Sequence, residues 1–93
     1  MIVGFGNKET EAIARGRPVR RFSRALRAAA ERKLELLDAA SSLDDLRAPP
    51  GNRLESLRGD RHGQYSIRIN QQWRICFVWT EKGPDNVEVV DYH

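Results

Sequence analysis

The chain has 93 residues, of which 40% are hydrophobic and 31% charged, with a formal net charge of +3. That length makes one domain with one modest core, burying about 65% of its unfolded surface, and excludes a second catalytic domain or a dinucleotide fold. The composition excludes global disorder, and a single domain over residues 1–93 is expected.

Ile2-Val3-Gly4-Phe5 reads as a short opening strand, and Lys8 to Ala14 as a short helix that Gly16 and Pro18 end. A longer helix is expected from about Arg20 to Ala40. At helical spacing Phe22, Leu26, Ala29, Leu36, Leu37 and Ala40 share one face, with Arg20, Arg24, Arg27 and Glu31 opposite. Lys33 falls on the apolar face, where its stem can lie flat while the ammonium reaches outward. Ser41 to Leu46 looks like a capped single turn, and Ala48-Pro49-Pro50-Gly51-Asn52 is a firm break and the one linker.

Beyond it the periodicity changes from helical to alternating. Tyr65, Ile67 and Ile69 point one way and Ser66, Arg68 and Asn70 the other. Trp73, Ile75, Phe77 and Trp79 alternate with Arg74, Cys76 and Val78, so a hairpin through Asn70-Gln71-Gln72 puts Arg68 and Arg74 on a shared face. Cys76 has no second cysteine to pair with and reads as a packed strand thiol. Lys82 to Asn86 is a second turn, and Val87 to Val90 a final strand. The expected fold is α+β: a short N-terminal strand, two helices, then a four-stranded antiparallel meander with the helices on its apolar face. The other face is then open to carry Glu55, Arg58, Arg68, Arg74 and His93.

Charge is unevenly spread. Arg15 to Lys33 holds eight basic residues against Glu31 alone, and Arg53 to Arg74 adds five arginines against Glu55 and Asp60. Arginine supplies 13 of the 16 basic residues, and its planar fork suits phosphate better than lysine does. RNA is a sensible partner on that basis, and an acidic protein segment is a second. No apolar run approaches the roughly 18–20 residues of a membrane span, and Met1 to Phe5 is too short for a signal sequence's hydrophobic region. A cytoplasmic location and no membrane contact are expected.

Asp91-Tyr92-His93 brings a carboxylate, a phenol and an imidazole to the end of the final strand. These groups can move protons near neutral pH, where an unperturbed imidazole titrates at about 6.5. His62 lies in the polar Gly59–Gly63 loop and reads as solvated. The aromatic side chains Phe22, Trp73, Phe77 and Trp79 read as packing.

Taken jointly, several motifs resemble the HigB-type toxins of the RelE/ParE superfamily, which are bacterial toxin–antitoxin ribonucleases. These motifs are the long second helix, Leu43-Asp44-Asp45-Leu46, Pro49-Pro50, Leu54 to Gly63, Tyr65-Ser66-Ile67, Trp73-Arg74-Ile75 and Asp91-Tyr92-His93. The resemblance implies a toxin that cleaves mRNA on the translating ribosome, with no metal and no small-molecule cofactor, silenced by a cognate helix-turn-helix antitoxin. It implies catalytic roles at Arg58, Arg74, Asp91, Tyr92 and His93. Some relatives carry a histidine where this chain has Glu55, which leaves the choice of base among Glu55, Asp91 and His93 open. Arg58 nearby should hold Glu55 ionised, so Glu55 is expected to position first.

Cleavage of this type needs a base for the attacking 2′-hydroxyl, an acid for the leaving 5′-oxygen, and cations for the phosphate. His93 is the best acid or base, and Asp91 can orient it or carry the proton. Tyr92 can stack on a base, donate to phosphate, or pack. Arg58 and Arg74 would clamp the phosphate, with Arg68 a second contact. Arg20, Arg24 and Arg27 are either a ribosomal-RNA-binding stripe or a solvated or antitoxin-docking face. Two other functions stay open: a non-catalytic ParE-like inhibitor of a protein target such as DNA gyrase, and an RNA-binding module whose catalytic set has decayed. The terminal residues and the arginines favour the nuclease.

Overall fold

Asn7 starts the first helix by accepting a hydrogen bond from the Thr10 backbone N–H at 2.8 Å, which satisfies one of the turn's unpaired donors. Helix α1 then runs Lys8–Ala14, and α2 runs Arg24–Ala39. The computed structural model, which describes residues 1–91, continues into four strands: β1 (Glu55–Ser56), β2 (Tyr65–Arg68), β3 (Trp73–Thr80) and β4 (Gly83–Asp91). They form one antiparallel sheet in sequential order, the expected meander.

Helix α2 begins four residues later than the hydrophobic pattern suggests. Ser23 is its N-cap, accepting from the Leu26 N–H at 3.1 Å, so Arg20 and Phe22 lie in the preceding loop. The buried face is also rotated: Ala30, Leu34 and Leu37 reach the core, while Leu36 stays 36% exposed. The alternating strand residues Ile67, Ile75, Phe77, Val87 and Val89 meet that face. Phe22 packs edge-on against Trp73 at 5.0 Å between ring centroids, and Tyr65 stacks on Phe77 at 6.2 Å. Such aromatic pairs add about 0.5–1.5 kcal/mol beyond the area they bury.

The opening segment contributes less strand than expected. Phe5 forms a single parallel bridge to Val87, supported by hydrogen bonds from Val3 N–H to the Pro84 carbonyl and from Gly6 N–H to the Val87 carbonyl, both 2.7 Å. Farther along, the Val89 N–H donates to the buried Thr10 hydroxyl at 2.9 Å. The N-terminal segment and α1 thus cover the β4 edge, which would otherwise offer unpaired backbone groups.

Two expected loops carry more structure than their composition suggests. Lys82 to Asn86 is mostly strand: only Glu81-Lys82 turns, and β4 already pairs at Gly83. Positive φ angles at Gly83 and Asn86 instead serve the turn and an irregularity in the β3–β4 register. A Cβ at Gly83 would collide with the Met1 carbonyl oxygen. In the Pro49–Asn52 break, Asn52 is fully buried. It donates to the Leu46 carbonyl at 3.2 Å and accepts from the Lys33 ammonium at 2.5 Å. Lys33 therefore bends towards Asn52 and is half-buried there, and burial, helped by Arg32, lowers its pKa. The Ser41–Leu46 turn is capped as expected, with Asp45 accepting from the Ser41 and Ser42 N–H groups. No helix among the described residues is long and apolar enough to cross a membrane.

Candidate functional site

Alternation along β2 and β3 sends Ser66, Arg68, Arg74 and Cys76 to the sheet face away from the helices, and the register pairs Arg68 with Arg74 and Ser66 with Cys76. Glu55 joins the same row opposite Ser66. This face is not left bare. Ser66 and Cys76 are fully buried, and Arg74 is only 8% exposed.

Arg74 is held from several sides. Its Nε donates to Ser66 Oγ at 2.7 Å, and its Nη2 donates to the carbonyls of Arg53 at 2.6 Å and Ser66 at 3.3 Å. Its Nη1 lies 3.8 Å from Glu55 Oε1, a loose ion pair in which the Glu55 side chain is 55% exposed. A guanidinium fixed in this way keeps one orientation, which is how charge is preorganised for an incoming anion. An open cleft of about 390 Å³ lies over it, lined by Arg53, Glu55, Arg68, Asn70, Gln71 and Arg74. The Arg68 Nε donates to the Asn70 carbonyl at 3.0 Å, which sets that side chain beside the cleft.

A second polar group sits farther along the same face. Arg61 Nη1 donates to Glu88 Oε1 at 2.7 Å and to Gln64 at 3.1 Å, and Glu88 is the β4 neighbour of Cys76. Burial raises the Cys76 thiol pKa, with Glu88 also raising it while Arg61 and Arg74 oppose. A protonated, fully buried thiol of this kind is a packing group.

The structure gathers some of the expected site residues and separates others. Glu55, Arg68 and Arg74 share the cleft. Arg58 is exposed at the flank of the Gly59–Arg61 turn and is not among the residues lining it. Asp91 pairs with Trp73 and so lies on the helix side of the sheet, opposite Arg74. Its Oδ2 accepts from the Gln72 side chain at 3.0 Å. Tyr92 and His93 lie outside the described residues. His62 is exposed, as expected.

Arg20, Arg24 and Arg27 do not form one helix face, because Arg20 precedes the Ser23 cap. Arg24 and Arg27 are one turn apart on α2, and none of the three makes an ion pair with another described residue. Sequence reasoning missed Ser66 and the Arg53 carbonyl as the groups that hold Arg74. A small hydroxyl facing an arginine across a hairpin was the only available signal. A different cleft, between the N-terminal segment and the helices, is rimmed by Glu31, Glu35 and Asp38 together with Arg15. Its mostly negative rim is the wrong sign for a polyanion.

Comparison with known proteins places these features in a family. Residues 15–93 match the model of a RelE-like toxin of type II toxin–antitoxin system HigB. The chain is 56% identical over 50 residues to a Vibrio cholerae protein named Toxin HigB-1, covering 54% of this chain and 53% of that one. It is 31% identical over 61 residues to the Endoribonuclease HigB of Proteus vulgaris, covering 66% and 65%. An uncharacterized Haemophilus influenzae protein is 38% identical over 56 residues, covering 60% and 55%. The matched stretches thus span between about half and two thirds of these relatives' lengths. With the family model covering most of its residues, this chain belongs to the HigB-like family of RelE-like toxins.

Proposed function

We propose that this protein is the toxin of a type II toxin–antitoxin pair and inhibits translation by cutting mRNA in the ribosome. Its partners are then mRNA, the ribosome and a cognate helix-turn-helix antitoxin, and it acts in the cytoplasm. The Proteus vulgaris relative's name supports the nuclease reading; the dependence on the ribosome rests on the family resemblance. The observation that carries the proposal is the buried, firmly anchored Arg74 at the floor of a cleft shared with Arg68 and Glu55.

In this reading the scissile phosphate lies over Arg74 and Arg68, whose charges favour the more anionic transition state. The 2′-hydroxyl attacks phosphorus, its proton passes to a base, and the departing 5′-oxygen takes a proton from an acid. The products are a 2′,3′-cyclic phosphate and a 5′-hydroxyl, with no metal required. His93 is the main proton carrier and Tyr92 contacts a base or phosphate, while Asp91, on the helix side of the sheet, supports them from the end of β4 without touching the phosphate over Arg74. Glu55 positions Arg74 and is the nearest alternative base. Arg58 acts from outside the cleft, on RNA that extends beyond it.

The test is a defined cell-free translation system with mRNA 5′ ends mapped by primer extension, run beside ribosome-free RNA, added chelator and a His93→Ala protein. Cuts at ribosome-occupied codons that survive chelation and vanish in the other two controls are expected. Growth arrest by a folded protein that makes no cuts would turn the reading toward inhibition of a protein target.

A further inference from the structure

Arg53 sits where the Pro50–Asn52 turn gives way to β1, and its backbone is left-handed, with φ 44° and ψ 57°. A side chain crowds its own backbone in that region, so glycine or asparagine usually fills such a position. Among the described residues Asn86 is the only other non-glycine with a positive φ. The turn brings the Arg53 carbonyl to Arg74 Nη2 at 2.6 Å. That contact is made by the backbone alone, and a glycine would supply it with less strain. The arginine side chain therefore needs a reason of its own, since strained residues persist chiefly where a site uses them. It lines the cleft together with Arg68 and Arg74. It is exposed there and makes no hydrogen bond or ion pair with another described residue.

We propose that the Arg53 side chain is a further RNA contact, holding a phosphate next to the scissile one on the mRNA strand. This rests on the proposed nuclease reading for the identity of that strand. The described lining of the cleft carries three guanidiniums against the single carboxylate of Glu55, a balance that favours a polyanion. The three arginines differ in freedom. Arg74 is buried among its partners, and Arg68 donates to the Asn70 carbonyl, so both are tethered. Arg53 has no such tether and can turn to meet a backbone passing through the cleft. The cleft's volume of about 390 Å³ lies within the range of pockets that take a whole small ligand, so more than one phosphate group fits. A preorganised charge acts chiefly on the transition state, whereas an untethered one binds ground state and transition state alike. Arg53 thus contributes affinity and register, as phosphate contacts do, and leaves the chemical step to others. One residue then serves twice: its carbonyl holds Arg74, and its side chain holds the substrate.

The test turns on Arg53→Gly, which keeps the left-handed turn and the carbonyl and removes only the side chain. In the translation assay its KM should rise about fivefold with kcat unchanged, the signature of lost uniform binding. Arg53→Lys, which restores the charge, should recover most of that affinity. Binding is read separately on ribosomes programmed with mRNA whose cut codon carries 2′-O-methyl groups, which removes the attacking hydroxyl. There the slope of log affinity against log salt should fall by roughly 0.7 in Arg53→Gly, the share of one phosphate. Ribosomes without mRNA should bind parent and variant alike. An Arg53→Gly protein with the parent's KM and salt slope would overturn the proposal and leave Arg53 its backbone role alone. A fall in kcat at unchanged KM would overturn it too, as would an equal loss of affinity for ribosomes without mRNA. If the parent binds the methylated complex but cuts no native mRNA, the nuclease reading fails, and the salt slope still decides whether Arg53 holds a phosphate.

Discussion

The two arginine-rich stretches look alike in composition and differ in what the fold does with them. In Arg53–Arg74 the chain folds back over the sheet, and Arg74 is nearly sealed from bulk water, held instead by a hydroxyl, two carbonyls and a carboxylate. In Arg15–Lys33 most arginines stand at the surface. Arg15 pairs with Glu11 at 58% side-chain exposure, and Arg20 and Arg24 are exposed. Exposed ion pairs contribute little, because water and salt screen them. An arginine count therefore reports how a protein meets polyanions at long range. Burial and fixed partners report where one particular phosphate can be held.

The sharpest way to break this contrast is at Arg74. Arg74→Ala should reduce cleavage at least about a hundredfold, the scale set by removing one preorganised donor from a transition state. It should also destabilise the fold by roughly 1–3 kcal/mol, because buried acceptors at Ser66 and Arg53 lose their donor. Arg74→Lys should stay well below the parent, since an ammonium cannot reproduce the fork. Full activity in Arg74→Lys would mean that charge alone matters there, and the distinction between the two stretches would collapse.

A smaller effect is expected from the first stretch. Reversing charge at Arg24 and Arg27 should weaken ribosome binding without changing kcat. It should also reduce the slope of log affinity against log salt, by roughly 0.7 for every phosphate of single-stranded nucleic acid that is no longer neutralised. An unchanged slope, measured by ribosome pelleting over a salt series, would assign that surface to another partner.

The smallest effect probes the depth of the covered face. Cys76 has a raised pKa in the folded chain, first from burial. The unfolded thiol therefore loses its proton first as pH rises. The stabilisation is complete below the unfolded thiol's value, about 8.5, and is lost as pH climbs from there through the folded value. Denaturant midpoints should fall over that alkaline range, and a Cys76→Ala chain should show less of the fall. Lys33, with its pKa lowered, works in the opposite sense: its charge costs stability below its folded pKa, and the cost fades as pH rises towards the ordinary lysine range. The comparison of parent with Cys76→Ala isolates the thiol.

Strand alternation was the most legible part of the sequence. Period-two patterning around Arg68 and Arg74 is strict, and one hairpin suffices to set their register. The α2 boundary was less legible, because Phe22 fits the helical stripe although Ser23 caps the helix after it. Its buried face was blurred by the alanine-rich stretch, where several phases look equally apolar. The Gly83-Pro84-Asp85-Asn86 run has turn chemistry, yet its positive-φ residues serve a strand irregularity. Within the site, Glu55 and the arginines could be placed from β-strand parity. The side of the sheet taken by Asp91 also follows from parity, since it alternates in step with the buried Val87 and Val89, but the functional pattern drew the chain's end towards Arg74 instead. The covering of Arg74 by the Arg53 carbonyl depends on a left-handed backbone turn at Arg53, φ 44°, which no local pattern announced.

The Thr10–Val89 hydrogen bond has a consequence for how the protein comes into being. It joins residues 79 apart, and the Phe5–Val87 bridge spans a similar length. Contacts so distant in sequence form late, after the entropy of closing a long loop has been overcome. A ribosome adds roughly 5–20 residues each second, and throughout that time α1 and the first residues have no β4 to rest against. The growing chain cannot seal its core until Gly83–Asp91 have emerged. An activity that needs the closed fold therefore waits for this strand, by topology alone.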